Sequence, residues 1–222
     1  MSTSQFWKKV GWVLATVGIL ALDLIPSELT VFIYGLTKQG MLAQVIGLIT
    51  MAGLVTLIVW LAYRHQVLAK DNISFKRFVL TLVLGFVAIT LCSLVGQVVM
   101  RLTASTQMIN QDAIRSSLRA LPVFTLVYTA LVAPVIEEII FRGFIFKKWF
   151  PHHDYWALAV STILFALLHR AFTPGSFITY GGMSLIFGLV YLKNGKNLKY
   201  SIGLHLFNNF WALLAMLLLL LH

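Results

Sequence analysis

The sequence predicts an all-α membrane protein, a polytopic helical bundle of about seven transmembrane helices that forms a single domain over residues 1–222. Of the 222 residues, 59% are hydrophobic and only 11% are charged, and the mean hydropathy is +0.89. A soluble domain carries roughly a quarter charged residues, so this chain lacks the polar surface of a water-exposed globule. Long unbroken apolar runs, rather than alternating ones, favour helices over a β-barrel.

Seven apolar segments are each long enough to cross roughly 30 Å of hydrocarbon. Asp23, Pro26 and Glu28 interrupt the first segment, which predicts a kink or an end in an interfacial turn. The fifth and sixth segments are short, which indicates tilt or partial burial. An eighth, amphipathic helix is predicted at the interface over Thr106–Arg119. The seven segments are Val10–Leu36, Met41–Tyr63, Phe78–Met100, Leu121–Phe146, Tyr155–His169, Phe177–Leu192 and Ser201–Leu221.

The Lys and Arg residues predict the orientation, because cytoplasmic loops carry an excess of them. With a cytoplasmic N-terminus, the inner side holds Lys8, Lys9, Arg64, Lys70, Lys76, Arg77, Lys147, Lys148, Lys193, Lys196 and Lys199. The outer side then holds Lys38, Arg101, Arg115, Arg119 and Arg170. This bias favours a multi-pass protein of the cell membrane with its N-terminus in the cytoplasm. Basic residues scattered through short loops indicate contact with the lipid bilayer, and no nucleic-acid partner is expected.

Ionisable residues inside a span are costly and therefore indicate function. Glu137 and Glu138 are adjacent in the fourth segment, and Arg142 follows Glu138 by four residues. That spacing places Glu138 and Arg142 on one helix face, where they can pair. Glu137 points about 100° away from that face, so it is left without this partner.

Two histidines and two asparagines lie on later segments. His169 ends the fifth segment, with Phe165 one turn earlier on the same face, and His205 opens the seventh, with Asn208 and Asn209 on its face. Each residue has a structural alternative as an ion pair, an interfacial histidine or an interhelical hydrogen bond. As a set with Glu137 they suit the activation of water: a carboxylate takes the proton, imidazoles hold water or a metal, and an amide stabilises an oxyanion.

These side chains are expected to meet in one wet cavity between the fourth, fifth and seventh segments. The predicted boundaries place His205 near the cytoplasmic end of its span and His169 near the opposite end, with Glu137 between them. At about 1.5 Å per residue these depths differ by more than hydrogen-bond reach. We therefore expect a deeper start or a strong tilt of the fifth helix, or different span boundaries.

Three motifs in order resemble those of the CAAX protease and bacteriocin-processing family of intramembrane proteases, which includes the CAAX prenyl protease 2 type. EEIIFR matches EExxxR, FALLH matches FxxxH, and HLFNN matches HxxxN. The resemblance covers about residues 121–221. It implies that Glu137 is the general base, that His169 binds or polarises water, and that His205 and Asn209 complete the site.

The same resemblance implies supporting roles for Glu138 with Arg142, and favours Asn209 as the oxyanion donor, with the adjacent Asn208 as an alternative. Glu137, His169 and His205 would suffice as ligands of a divalent metal such as zinc, and the family is usually described as one of metalloproteases. The HExxH motif is absent, however, and a buried carboxylate beside a histidine can also activate water without a metal. We favour the metal-free form and assign no cofactor.

The expected function is that of an intramembrane endopeptidase, with residues 121–222 as a catalytic four-helix core and residues 1–120 as peripheral helices. The substrate would be a membrane-associated peptide or protein, or a leader peptide, reached through a cavity that opens toward the cytoplasm. The resemblance adds bacteriocin processing or self-immunity as a context. One alternative is a non-catalytic immunity or scaffold protein with the same fold. Another is a proton-coupled transporter, which the lack of inverted repeats disfavours.

Overall fold

A computed structural model of the chain describes residues 3–68, 72–105 and 108–221. Lys70 and Thr106, which figure in the predictions above, lie outside the described residues. Within them the chain is helical and contains no strand, which confirms the predicted polytopic helical bundle. The eight helices are α1 (Thr3–Thr37), α2 (Gly40–Arg64), α3 (Phe75–Leu102), α4 (Ile109–Ala120), α5 (Pro122–Trp149), α6 (Asp154–Leu168), α7 (Pro174–Lys193) and α8 (Leu198–Leu221).

Six of these helices, α1, α2, α3, α5, α7 and α8, are long and apolar enough to cross a membrane. Helix α6 corresponds to the fifth predicted segment and has 15 residues. At 1.5 Å per residue it extends only about 22 Å, which is less than the thickness of the hydrocarbon core. Helix α4 is the predicted amphipathic helix, and its place at the membrane interface remains a prediction.

Helix α1 runs unbroken through the residues that were expected to interrupt it, so the predicted end in an interfacial turn is wrong. Pro26 lies inside the helix, and the Thr30 hydroxyl donates to the Pro26 carbonyl at 2.6 Å. The Asp23 carboxylate is buried and accepts a hydrogen bond from Tyr128 of α5. Because these polar groups find partners inside the protein, the helix can continue across the apolar region.

Helix α5 is the central helix of the bundle. Its residues Ile139–Phe146 are all buried, and they pack against α1, α6 and α8. Two stretches, Tyr128–Val132 and Ile139–Trp149, are wound as wide π-helical turns on either side of the regular turn Ala133–Glu138. The adjacent glutamates therefore lie where a regular turn meets a wide one. Wide turns of this kind occur frequently at functional sites.

The helices alternate in direction, which gives the bundle two ends. At the first end, with the start of α1, Lys196 Nζ pairs with Asp154 Oδ1 at 2.7 Å. At the second end, Gln44 Oε1 accepts the Val123 backbone N–H at 2.8 Å. Helix α4 lies at this second end, between the end of α3 and the start of α5. In the predicted orientation the first end is cytoplasmic.

Candidate active site

A buried ion pair anchors the site on α5. Arg142 Nη1 donates to Glu138 Oε1 at 3.1 Å, as expected from their spacing, and both side chains are fully buried. The same guanidinium donates through Nη2 to the Ser184 hydroxyl of α7 at 2.8 Å and to the Ser184 carbonyl. The Glu138 carboxylate also accepts from His205 Nδ1 of α8 at 3.1 Å. One carboxylate thus links α5 to α8, and its arginine partner links α5 to α7.

Aromatic rings surround this pair and fix both histidines. The His169 ring lies between Phe165 at 4.3 Å and Tyr180 at 4.8 Å, nearly parallel to both. The His205 ring stacks on Phe187 at 4.3 Å. Such stacking contacts restrict each imidazole to one orientation. Phe165, which the sequence places one turn before His169 on the same helix face, stacks on one face of the His169 ring.

The hydrogen bonds of the two histidines determine which ring nitrogen carries the proton. His169 Nδ1 lies 2.9 Å from the Phe165 carbonyl, and since a carbonyl only accepts, Nδ1 carries the hydrogen. His205 Nδ1 likewise donates to the Glu138 carboxylate. In the neutral form of each ring, Nε2 then has a free lone pair.

These two lone pairs converge on Glu137. Its Oε2 atom is buried, has no hydrogen-bond partner among the described residues, and lies 3.9 Å from His169 Nε2 and 3.8 Å from His205 Nε2. Both distances are too long for a direct hydrogen bond. Three acceptors around one space suit a molecule that donates hydrogen bonds, such as water, or a cation.

The two asparagines of α8 contact each other and α5. Asn209 Nδ2 donates to the Thr129 carbonyl in the first wide turn at 3.0 Å. Asn209 Oδ1 accepts from Asn208 Nδ2 at 3.4 Å. Both asparagines line the same cavity as Glu137, so the choice of oxyanion donor between them remains a prediction.

A cavity of about 630 Å³ lies beside these residues. Glu137, His169 and His205 form part of its lining, and the α4 residues Asn110 and Arg115 line its part at the second end of the bundle. If the N-terminus is cytoplasmic, the cavity therefore extends to the outer side. The expected cytoplasmic opening and the expected cytoplasmic N-terminus exclude each other.

The length of α6 explains how residues of different predicted depth meet. His169 directly follows the short helix α6, which starts at the first end, and its Nε2 atom lies 3.9 Å from Glu137 Oε2 in the middle of α5. The predicted fifth span was assumed to cross the whole membrane, whereas α6 ends inside the bundle. Helix α8 also begins at Leu198, three residues before the predicted start, which moves His205 deeper.

A metal site remains a prediction. Across residues 3–68, 72–105 and 108–221, no group of three or more His, Cys, Asp or Glu side chains has the arrangement needed to hold a metal ion. Glu137, His169 and His205 converge on one space, with Glu137 Oε2 3.9 Å and 3.8 Å from the two Nε2 atoms. These distances alone do not define the coordination geometry of a metal ion.

Several residues at the site were missed by the sequence analysis. Ser184, Tyr180 and Phe187 all lie on α7, in a segment where hydroxyl and aromatic residues gave no distinctive signal. Asp23 did give a signal, as an ionisable residue inside a span, but it was interpreted only as a helix interruption. Its partner Tyr128 lines the cavity.

The three motifs all lie within one segment that matches a known protein family. Residues 119–211 match the family described as Type II CAAX prenyl endopeptidase Rce1-like. This segment is therefore similar to the Rce1-like family. The resemblance drawn from EEIIFR, FALLH and HLFNN is thereby confirmed, and it relates this multi-pass membrane protein to intramembrane proteases.

Two curated relatives extend the similarity beyond that segment. The UPF0177 protein YvdC of Lactococcus lactis subsp. lactis (strain IL1403) is 31% identical over 150 residues, which cover 67% of this chain and 57% of the relative. The membrane-embedded CAAX protease MroQ of Staphylococcus aureus (strain USA300) is 29% identical over 145 residues, which cover 61% of this chain and 57% of the relative. The chain thus spans little more than half the length of these relatives. No solved structure matches it.

Proposed function

We propose that the protein is an intramembrane endopeptidase that hydrolyses a peptide bond of a membrane-associated peptide with water activated by Glu137. The observation that supports this most is the unpartnered, buried Glu137 Oε2 atom facing Nε2 of both His169 and His205. A water molecule between these acceptors donates one hydrogen to Glu137 and the other to an imidazole Nε2. Its oxygen lone pair is then free to attack a carbonyl carbon.

The proposed reaction needs only the chain, the substrate and one water molecule. As the water oxygen bonds to the carbonyl carbon, Glu137 takes the proton, and an amide N–H of Asn208 or Asn209 stabilises the oxyanion. When the carbon–nitrogen bond breaks, Glu137 returns the proton to the departing amine. The products are a new carboxyl group and a new amino group.

Glu138 and Arg142 act in this proposal by positioning. The Glu138 carboxylate, neutralised by Arg142, accepts the Nδ1 hydrogen of His205 and so keeps the lone pair on Nε2. A carboxylate that orients an imidazole in this way is a recurring arrangement in hydrolases. The two adjacent glutamates therefore have different roles, because only one of them has a permanent counter-charge.

The substrate class follows from the surroundings of the site. The cavity lies between helices, and its lining combines side-chain amides with aliphatic residues such as Leu213 and Met216, which suits an uncharged peptide segment near a membrane. The relative named a membrane-embedded CAAX protease supports proteolysis as the reaction. We further propose a cell-membrane location and a role in bacteriocin processing or self-immunity, on the resemblance of the three motifs.

The test uses the full chain in proteoliposomes with a mixture of fluorescence-quenched apolar decapeptides. Wild type should cleave at least one peptide, and Glu137→Gln should be slower by about a thousandfold or more, since general-base catalysis contributes in this range. Glu28→Gln, which removes an exposed carboxylate of α1, is the matched control and should cleave like wild type. Equal cleavage by Glu137→Gln would refute the proposal, and immunity retained in cells by that variant would favour the non-catalytic scaffold.

A further inference from the structure

One face of α1 is turned toward the candidate site. Ser27 and Val31, four residues apart, line the cavity that also contains Glu137. Asp23, four residues before Ser27, is only 6% exposed, and its Oδ2 atom accepts a hydrogen bond from the Tyr128 hydroxyl at 3.0 Å. Its Oδ1 atom is buried without a partner among the described residues. Helix α1 lies outside the segment that matches the family.

Tyr128 begins the first wide turn of α5, and this turn is held from two sides. On one side Tyr128 donates to Asp23 of α1, and on the other the Thr129 carbonyl accepts from Asn209 of α8. The Tyr128 ring also stacks on Phe124, with the two planes only 3° apart. The phenol is thus fixed in direction. The regular turn that follows, Ala133–Glu138, ends with the two glutamates.

A carboxylate in a membrane helix is costly unless it has a role. The packing of α1 does not require a carboxylate, because the helix is otherwise buried through uncharged side chains. These are Thr16, Ile19, Pro26 and Thr30. The one hydrogen bond recorded for the Asp23 side chain among the described residues is with Tyr128, a residue of the cavity wall. Its effect is to take the hydroxyl hydrogen of Tyr128, which leaves the lone pairs of the phenol oxygen for another donor.

We propose that Asp23 is a positioning residue of the peptidase site, acting through Tyr128, whose phenol oxygen accepts a backbone N–H of the bound peptide. The inference rests on the proposed function for the nature of its ligand. An extended peptide inside a membrane cavity has backbone N–H groups that water cannot satisfy, so each needs an acceptor from the protein. Tyr128 supplies one such acceptor within the same cavity as Glu137.

The first test measures cleavage of a quenched apolar decapeptide by the full chain in proteoliposomes. Tyr128→Phe should raise KM about tenfold with kcat within about threefold of wild type, since one hydrogen bond is worth about this factor. Asp23→Leu should do the same, whereas Asp23→Asn, which keeps an acceptor oxygen for the phenol, should stay within about threefold. The matched control is Tyr191→Phe, which removes a buried hydroxyl that has no hydrogen-bond partner in the described part of the chain and does not line the cavity.

A purely structural role for Asp23 would lower the melting temperature of Asp23→Leu and leave the KM of the folded fraction unchanged. That result, or an unchanged KM in Tyr128→Phe, would overturn the inference. A KM near that of wild type in Asp23→Asn, together with a raised KM in Asp23→Leu, would support the inference.

The second test separates this inference from the proposed hydrolysis. Binding of the same decapeptide is measured by fluorescence anisotropy in a Glu137→Gln background, where no cleavage is expected. Adding Tyr128→Phe should raise Kd about tenfold. If wild type cleaves no peptide but this difference in Kd is found, Tyr128 binds peptide and the hydrolysis proposal fails alone. If peptide neither binds nor is cleaved, both proposals fail.

Discussion

Glu138 and His205, separated by 67 positions in the chain, share a 3.1 Å hydrogen bond in the interior of the bundle. This contact distinguishes the two adjacent glutamates. Glu138 accepts from both His205 and Arg142, whereas Glu137 Oε2 has no hydrogen-bond partner in the described part of the chain. We therefore expect the stability of the fold to depend on Glu138 and the proposed catalysis to depend on Glu137.

Replacing each glutamate by glutamine should separate these two effects. Glu138→Gln leaves the buried Arg142 without its counter-charge, so we expect a loss of about 3–5 kcal/mol in unfolding free energy. Glu137→Gln should change that free energy by less than about 1 kcal/mol, because no hydrogen bond is broken, while abolishing cleavage. Reversible unfolding in mixed micelles measures the first quantity. Equal destabilisation by both variants would contradict the division of roles.

Arg142→Ala should destabilise as well as inactivate. It strands Glu138 as a buried charge and also removes the contacts with Ser184, so the expected loss is about 3–5 kcal/mol. The control is Arg115→Ala, which breaks an exposed pair with Asp112 and should cost about 1 kcal/mol or less. Thermal unfolding of the purified variants provides the measurement. A wild-type melting temperature for Arg142→Ala would show that the ion pair does not form.

Two substitutions of His205 distinguish its two ring nitrogens. Asparagine places an N–H near the position of Nδ1, so His205→Asn should keep the bond to Glu138, fold, and lack activity because Nε2 is gone. Glutamine reaches toward the Nε2 position instead, so His205→Gln should lose the bond to the carboxylate and about 1.5–3 kcal/mol of stability. Circular dichroism during heating and the peptide assay report the two properties. Full activity of His205→Asn would remove Nε2 from the mechanism.

The metal-free form of the site predicts insensitivity to chelators. Activity of the purified protein should stay within about twofold of its initial value after treatment with 1,10-phenanthroline, and the zinc content should be far below one per chain. A matched non-chelating isomer, 1,7-phenanthroline, controls for direct binding of the compound. Loss of activity that zinc restores would instead assign Glu137, His169 and His205 as metal ligands.

The direction in which the cavity opens can be tested by labelling. In a Cys92→Ala background, Ser117→Cys at the second end should react with a membrane-impermeant maleimide added outside intact cells, if the N-terminus is cytoplasmic. Tyr155→Cys, a highly exposed position at the first end, should react only after the cells are opened. The reverse pattern would invert the predicted orientation.

Much of this fold was predictable because the membrane allows few solutions. Apolar runs of sufficient length identified the spans, and the i to i+4 spacing of Glu138 and Arg142 identified their pairing, since both signals are local. The motifs predicted which polar side chains meet. Local patterns did not show the wide turns of α5, and the contacts of the first turn, from Tyr128 to α1 and from Thr129 to α8, join residues far apart in the sequence.

The remaining features depend on how deep in the bundle each residue lies, which the sequence does not encode directly. Helix α6 is apolar along its whole length, and its end at Leu168, with His169 packed between Phe165 and Tyr180, is seen only in the structure. Asp23 was visible in the sequence as an intramembrane carboxylate, but its partner lies 105 positions away. Pairings of that separation leave no periodic pattern in a single sequence.

The one-turn spacing of Glu138 and Arg142 also bears on how the chain enters the bilayer. Since both charges belong to a single helix, they can neutralise each other while that helix is still alone in lipid, which lowers the cost of its insertion. The link from Glu138 to His205 can form only after α8 has also been synthesised and inserted. Until then the centre of a nascent chain is incomplete, so the proposed peptidase activity would have to wait for α8.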